Sequence, residues 1–385
     1  VRSKHSLFIN ILIQPTIYIL PDKLSLEVNF RRSLGMEIDA VNKLVFHVIE
    51  DVAADNCDLD EVIEFVVSFS NEHALSQETL LKLSSIFGKE SMHREKYVIS
   101  RACASLFSGK TREDALMEAG KTAFLLGFDE LAVREFKEVL SENSENVEAL
   151  CGYGIVLARM GETEAAQAQY EKALKLNPFH VETLCNYGCL LYRLKKTDEA
   201  EEMYSRALLL DNENVNAHCG YGILLSKRGE SAEARYHYTQ ALKLEPGHVE
   251  SNFRYARLLE ENGEPLDAEK HYIVALKADP DDPRPHLFYA RLLAEHGFIH
   301  GARAHFRYAL KLNPEDVEAH CEYARLLARF GHRHEAEVQY KKALELDPGH
   351  LGTLRGYADL LKEKGQYADA EEIYRQAELF KRSAW

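Results

Sequence analysis

From Met36 onward, apolar residues recur at spacings of three and four, the mark of helices that bury one stripe and expose the other. That spacing predicts helices over Glu37–Ala54, Leu59–Asn71, Gln77–Phe87 and His93–Phe107, divided by short polar breaks. The four do not align with one another. Residues 36–112 therefore read as an N-terminal helical region.

Past residue 112 a second, longer period takes over. The string ALKLNP begins at Ala173, and related strings begin at Ala207, Ala241, Ala275, Ala309 and Ala343, each 34 residues after the last. A fixed period of this size means stacked supersecondary units. It divides the chain into 113–146, 147–180, 181–214, 215–248, 249–282, 283–316, 317–350 and 351–384. Position 8 of a unit is small (Gly120, Gly154, Gly188, Gly222, then Ala256, Ala290, Ala324, Ala358), and position 20 is always Ala. Small residues at both places let two antiparallel helices approach closely. Position 24 is always aromatic, from Phe136 to Tyr374, and fills the space between them. Position 27 is Val139 and then seven alanines, where the second helix meets the next unit. Position 15 is Gly except at Lys195, which fits a helix C-terminus before a tight turn. Proline at position 32 in five units stops the second helix.

This combination at a strict period resembles the tetratricopeptide repeat (TPR) family, over 113–384. The resemblance implies an all-α fold, a right-handed superhelical solenoid of about eight 34-residue helix-turn-helix repeats, following the N-terminal helical region. Two departures stand out: position 4 is often His or Asn in place of a large apolar residue, and position 7 is Tyr in the last seven units. The family also implies a non-catalytic binding platform whose first helices line a groove through positions 2, 5, 6, 9, 12 and 13. On that basis units 147–248 present a small, nearly neutral surface, with Cys151, Gly152, Cys185, Asn186, Cys189, Tyr192 and Cys219. Units 249–350 present Phe253, Arg254, Arg257, Phe288, Arg291 and Arg325, with arginine at position 9 three times running. Arginine suits bidentate capture of carboxylates, so the partner is expected to be a protein or peptide of acidic character. The competing expectation is self-neutralisation, through Arg257–Glu261 and Arg291–Glu295 along single helices and Glu322 beside Arg325. Co-chaperone members clamp a terminal carboxylate with a Lys and Asn set over three units. Here only Asn186 and Arg254 match, so that role is not expected.

Composition narrows the choices. Lys plus Arg (47) against Asp plus Glu (62) gives a net charge of −15, which disfavours a nucleic-acid partner. No apolar run reaches the length of a membrane span. Seven scattered cysteines without CxxC spacing read as reduced thiols in the cytoplasm, with the nucleus as the other choice. No metal or cofactor is expected. Ala104–Thr111 (ASLFSGKT) matches a relaxed phosphate-binding loop, but that loop needs a strand before it, and helices flank it here. Thr111 with Asp114 is expected to cap the first repeat helix instead. Residues 1–35 stand apart: Leu7–Leu20 is mostly apolar behind Arg2 and Lys4, without a small-residue cleavage site. They read as a buried strand-like arm, as sequence upstream of a start at Met36 and outside the native fold, or as a targeting segment. At the other end Leu379, Phe380 and Trp385 leave an uncapped apolar surface, which points to self-association, a hetero-partner or a longer array. The expected function is a non-enzymatic scaffold or adaptor. The alternative is a regulatory or substrate-recruiting TPR arm of a larger enzyme assembly, for example of glycosyltransferase type.

Overall fold

The computed structural model describes residues 58–89 and 92–383, together with Leu44, Val45, His47, Val48, Asp51 and Val52. The expected arm at 1–35, most of the Glu37–Ala54 helix and Trp385 lie outside the described residues. Within them are nineteen helices and no strand. The chain divides into two compact units, Val1–Leu210 and Asp211–Trp385.

In the first unit α1 (Leu59–Glu72), α2 (Gln77–Lys89) and α3 (His93–Leu106) precede three helix pairs. These are α4 (Lys110–Leu125) with α5 (Asp129–Glu142), α6 (Val147–Met160) with α7 (Thr163–Leu176), and α8 (Val181–Arg193) with α9 (Thr197–Leu210). The N-terminal helices share one core with the first pair, in which Tyr97, Phe87 and Phe136 are buried. Glu135 of α5 is fully enclosed there. It accepts from the Tyr97 hydroxyl and pairs with Arg101 of α3 and with Arg134. Burial pushes its carboxyl upward against the pull of those arginines. Removing one partner of such a cluster would strand a buried charge, so it fixes α3 on α5 more than it adds net stability.

One local expectation fails here. Helix α4 starts at Lys110, three residues before the repeat frame, with Gly109 as its N-cap and no capping side chain. Thr111 and Asp114 are inside the helix, where the Thr111 hydroxyl accepts from Gln77 Nε2 at 2.8 Å. Lys110 is paired with Glu113 and Asp114.

The second unit is five helix pairs: α10 (Val215–Arg228) with α11 (Ser231–Leu244), α12 (Val249–Glu261) with α13 (Pro265–Ala278), and α14 (Pro283–Glu295) with α15 (Ile299–Leu312). Then come α16 (Val317–Arg329) with α17 (Arg333–Leu346), and α18 (Leu351–Glu363) with α19 (Tyr367–Ser383). The last seven first-helices start at position 1 of the 34-residue frame, because position 34 of the unit before supplies the cap. Asn146, Asn214 and Asp316 accept from an alanine N–H at position 3. His180, His248 and His350 cap with Nδ1, and there position 3 is Thr183, Ser251 or Thr353, whose hydroxyl lies within 2.7 Å of the ring nitrogen. Asp282 caps the Arg284 N–H, since the next residue, Pro285, has none to offer.

Position 15 turns left-handed in all eight repeats, with φ from 62° at Lys195 to 84° at Gly161. Glycine is favoured there because a Cβ strains this conformation. Position 8 packs against the aromatic of position 24: a Cβ on Gly154 would lie 2.6 Å from the Tyr170 ring. The unusual Tyr at position 7 reaches back to the preceding repeat, as when the Tyr187 hydroxyl donates to Glu171 and that of Tyr289 to Glu269.

Candidate functional site

In the first unit, Asn186 is half-buried and donates to the Glu182 carbonyl at 2.9 Å, one helical turn back. Tyr192 is also half-buried. The small neutral surface expected around them is not built from the residues foreseen. Cys151 and Cys185 are buried, and Gly152 lies so close to Phe136 that a Cβ would be 2.7 Å from its ring. Cys189 alone of these thiols is exposed. Cys219 in the second unit is buried as well. Among the described residues, no three His, Cys, Asp or Glu side chains are placed to hold a metal ion.

The second unit brings the arginines together along its first helices. Phe253 is only 2 % exposed, so it is a support and not a contact surface. Arg254 of α12 lies 5.4 Å from its ring centroid and Arg284 of α14 lies 5.3 Å from it. Both donate to Glu250, at 2.6 and 2.9 Å. Next, Phe288 carries two guanidinium groups, Arg257 at 4.8 Å and Arg291 at 5.1 Å from its centroid. A single ring face attracts a cation, but two cations on one ring repel each other, and nearby anions relieve that repulsion. Glu261 approaches Arg257 at 3.4 Å, as expected. Arg291 does not take Glu295; its Nε lies 3.3 Å from Glu322 of the following repeat. Arg325 Nη2 is 3.3 Å from the other Glu322 oxygen. Part of the expected self-neutralisation thus crosses between repeats.

Beside Glu322 a cleft of about 190 Å³ opens over Ala294, Phe306 and Leu326. Arg291, Arg325 and Arg329 line it with Glu295 and Glu322. Glu322 is 6 % exposed, and burial pushes its carboxyl up to about 6 despite Arg291 and Arg325. Arg284 and Arg329 were not singled out in the sequence. They occupy positions 2 and 13, both on the face the family turns inward, so the signal was there in the frame.

Family models described as tetratricopeptide repeat match residues 148–213, 225–292 with 331–383, and 290–350, together more than half of the chain. The chain belongs to the tetratricopeptide repeat family. Among solved structures, this TPR chain is similar to one titled as the APC/C hetero-tetramer Cut9-Hcn1. The likeness has a TM-score of 0.58 at 16% identity, over 89% of this chain and 70% of that one. It is also similar to the Pseudomonas aeruginosa protein pilF, with a TM-score of 0.50 at 21% identity, over 57% of this chain and 98% of that one. At these identities the likeness is one of fold. No curated protein matches the sequence.

The TPR frame also explains the polar residues at position 4. His218 Nδ1 meets His237 Nδ1 at 2.9 Å, and His286 meets His305 in the same way at 2.8 Å. Asn252 pairs with His271 and His320 with Gln339, each at 2.8 Å. In all four, the position-4 side chain also reaches the carbonyl at position 32 of the preceding repeat, at 2.9–3.1 Å. A carbonyl accepts, so the histidine nitrogen facing it carries the proton. These pairs join the two helices of a repeat and the turn before it. Burial lowers the proton affinity of His237, His271, His286 and His305, with His237 brought down to about 4.

No helix among the described residues is long and apolar enough to cross a membrane. At the C-terminal end, Phe380 leans on the preceding turn at Gly349, while Leu379 is 60 % exposed.

Proposed function

We propose that this TPR protein is a non-catalytic scaffold that holds an acidic segment of a partner protein or peptide on the arginine face of its second unit. Arg257, Arg291 and Arg325 would engage partner carboxylates, with Arg254 extending the track and Phe288 holding two of the guanidinium planes. The observation that carries this reading is the cleft lined by Arg291, Arg325 and Arg329, where three arginines outnumber Glu295 and Glu322 around apolar floor residues. Arginine there offers paired donors that match a carboxylate. Asn186 and Tyr192, on the first unit, are proposed only as further contacts for a long partner. The scattered cysteines without CxxC spacing fit work in a reducing compartment, the cytoplasm or nucleus. The exposed Leu379 supports an additional self-associating contact through the last repeat.

The test is direct. A fluorescein-labelled hexa-aspartate peptide, titrated with the full chain at low ionic strength, should bind with an affinity that falls as salt is added. A hexa-lysine peptide binding equally well would overturn the reading.

A further inference from the structure

Glu322 is an unusual groove residue. It sits at position 6 of its repeat, on the face that carries the arginines, yet its side chain is 6 % exposed. Arg291 from α14 and Arg325 from its own helix clasp it, one at each carboxylate oxygen, both at 3.3 Å. Oε2 makes no hydrogen bond, because the Arg291 approach is an ion pair without hydrogen-bond alignment. A carboxylate enclosed in this way has lost most of its hydration, and two long contacts return only part of the cost. The other charges facing it do not favour ionisation consistently. Glu318, earlier on α16, and Asp316, which caps that helix, disfavour it, while Glu295 and Arg329 share the cleft. The two clasping arginines remain 43 % and 57 % exposed, so they can be reached from solvent.

We propose that Glu322 is a built-in counter-ion that competes with an acidic ligand for Arg291 and Arg325, so that docking of a ligand carboxylate makes Glu322 take up a proton from solvent. The inference rests on the acidic-partner reading above and adds a regulation to that site. The exchange balances: one carboxylate enters the cleft, one proton moves from water to a Glu322 oxygen, and the local charge is unchanged. A second anion beside a poorly hydrated carboxylate raises its proton affinity further, as in any pair of carboxyls sharing a site. The carboxyl already stands at about 6 without a ligand and a bound anion raises it, so the uptake falls from about pH 6 upward and fades at lower pH. An aspartate on an exposed peptide titrates near 3.9 and stays charged there. Arginine does not titrate at all in this range. A plain arginine clamp would therefore bind equally at pH 7.5 and pH 5.5. The coupled site binds more tightly at the lower pH, by up to about tenfold for each pH unit over which one proton is linked.

The experiment uses the full chain and the labelled hexa-aspartate peptide, followed by fluorescence anisotropy at pH 7.5 and 5.5 at constant ionic strength. The wild type should gain about tenfold in affinity at pH 5.5. Glu322→Gln, which removes the charge at nearly constant shape, should bind more tightly than wild type at pH 7.5 and show little further gain at pH 5.5. The variant keeps every histidine, so a pH dependence arising from those would persist in it. Wild-type binding that is flat with pH, or an unchanged slope in the variant, overturns the proton coupling and leaves the acidic-partner reading standing. No peptide binding at either pH overturns both. Should Glu322→Gln fail to fold by circular dichroism, the carbon-13 resonance of the Glu322 carboxyl in the wild type decides. Its titration midpoint should rise when the peptide is added, and an unmoved midpoint overturns the proposal.

Discussion

Substituting Gly222 by Leu tests the packing rule of the repeats at one well-defined point. A Cβ built on Gly222 would lie 2.8 Å from Tyr238 Cε1, 2.9 Å from Cδ1 and 3.2 Å from Cζ. Favourable carbon contacts need about 3.5–4.0 Å, so the ring would have to move by more than half an ångström for the first carbon alone. Tyr238 is 1 % exposed, so its ring can shift only against packed neighbours. The alanines at position 8 of the next four repeats show that a single methyl can be accommodated. For Gly222→Ala the crowding is therefore offset by the gain in helix propensity, about 1 kcal/mol, and the net change should be close to zero. Leu adds three more carbons to the same filled space. Overpacking costs about 1–3 kcal/mol, and a site without slack belongs at the upper end. Because each repeat leans on its neighbours, the damage should be greatest in 215–248 and fade outward. Hydrogen exchange resolved along the chain reads this directly. Equal loss of protection in every repeat, or Gly222→Leu as stable as Gly222→Ala, would refute the reasoning.

Further outcomes follow from other features. Arg257→Ala with Arg291→Ala should weaken hexa-aspartate binding at low ionic strength, with the loss shrinking at high salt; unchanged affinity in the double variant would end the arginine-face reading. His237 is held neutral by burial, with its folded-state value near 4 against an ordinary 6.5. The unfolded chain thus binds the proton first, and stability should fall as pH drops from about 6.5 to 4. Urea midpoints across that window should show the decline, and a His237→Gln variant should flatten part of it; an identical slope in the variant would exclude the histidine. If the last repeat self-associates, light scattering should show a mass that rises with concentration in the wild type and not in Leu379→Glu, and a monomer throughout would remove that contact.

The repeat architecture was legible in the sequence because its determinants are local and recur: a small residue at position 8, an aromatic at 24, a left-handed turn at 15. What escaped was pairing across the period. His218 and His237, or Arg291 and Glu322, are distant in sequence and carry no local signal, so position 4 looked like a departure and Glu295 looked like the natural partner of Arg291. Burial was misjudged for a related reason. Position 5 lies on the inward face, but whether Phe253 or Cys151 is open or covered depends on the bulk of neighbours in the adjoining repeat. The first repeat misled the frame because Gly109, and no capping side chain, sets where its helix begins.

The caps at position 34 bear on how such a chain can be cut and rejoined. Each cap is matched to the residue three places later, or two places later at Asp282, across the boundary the sequence repeat suggests. Splicing the chain ending at His248 onto Pro283 would set a histidine cap before Pro285, which has no N–H to give, while Asp282, matched to the Arg284 N–H, would be left behind. The carbonyl at position 32 and its position-4 partner would be parted by the same cut. A junction inside the second helix, after Leu276 or Leu310, instead carries the turn, its cap and the following helix as one piece. The exchangeable cassette of this protein is therefore offset by several residues from its 34-residue sequence motif, and chimeras built on the motif boundaries would join mismatched ends wherever the two caps differ in kind.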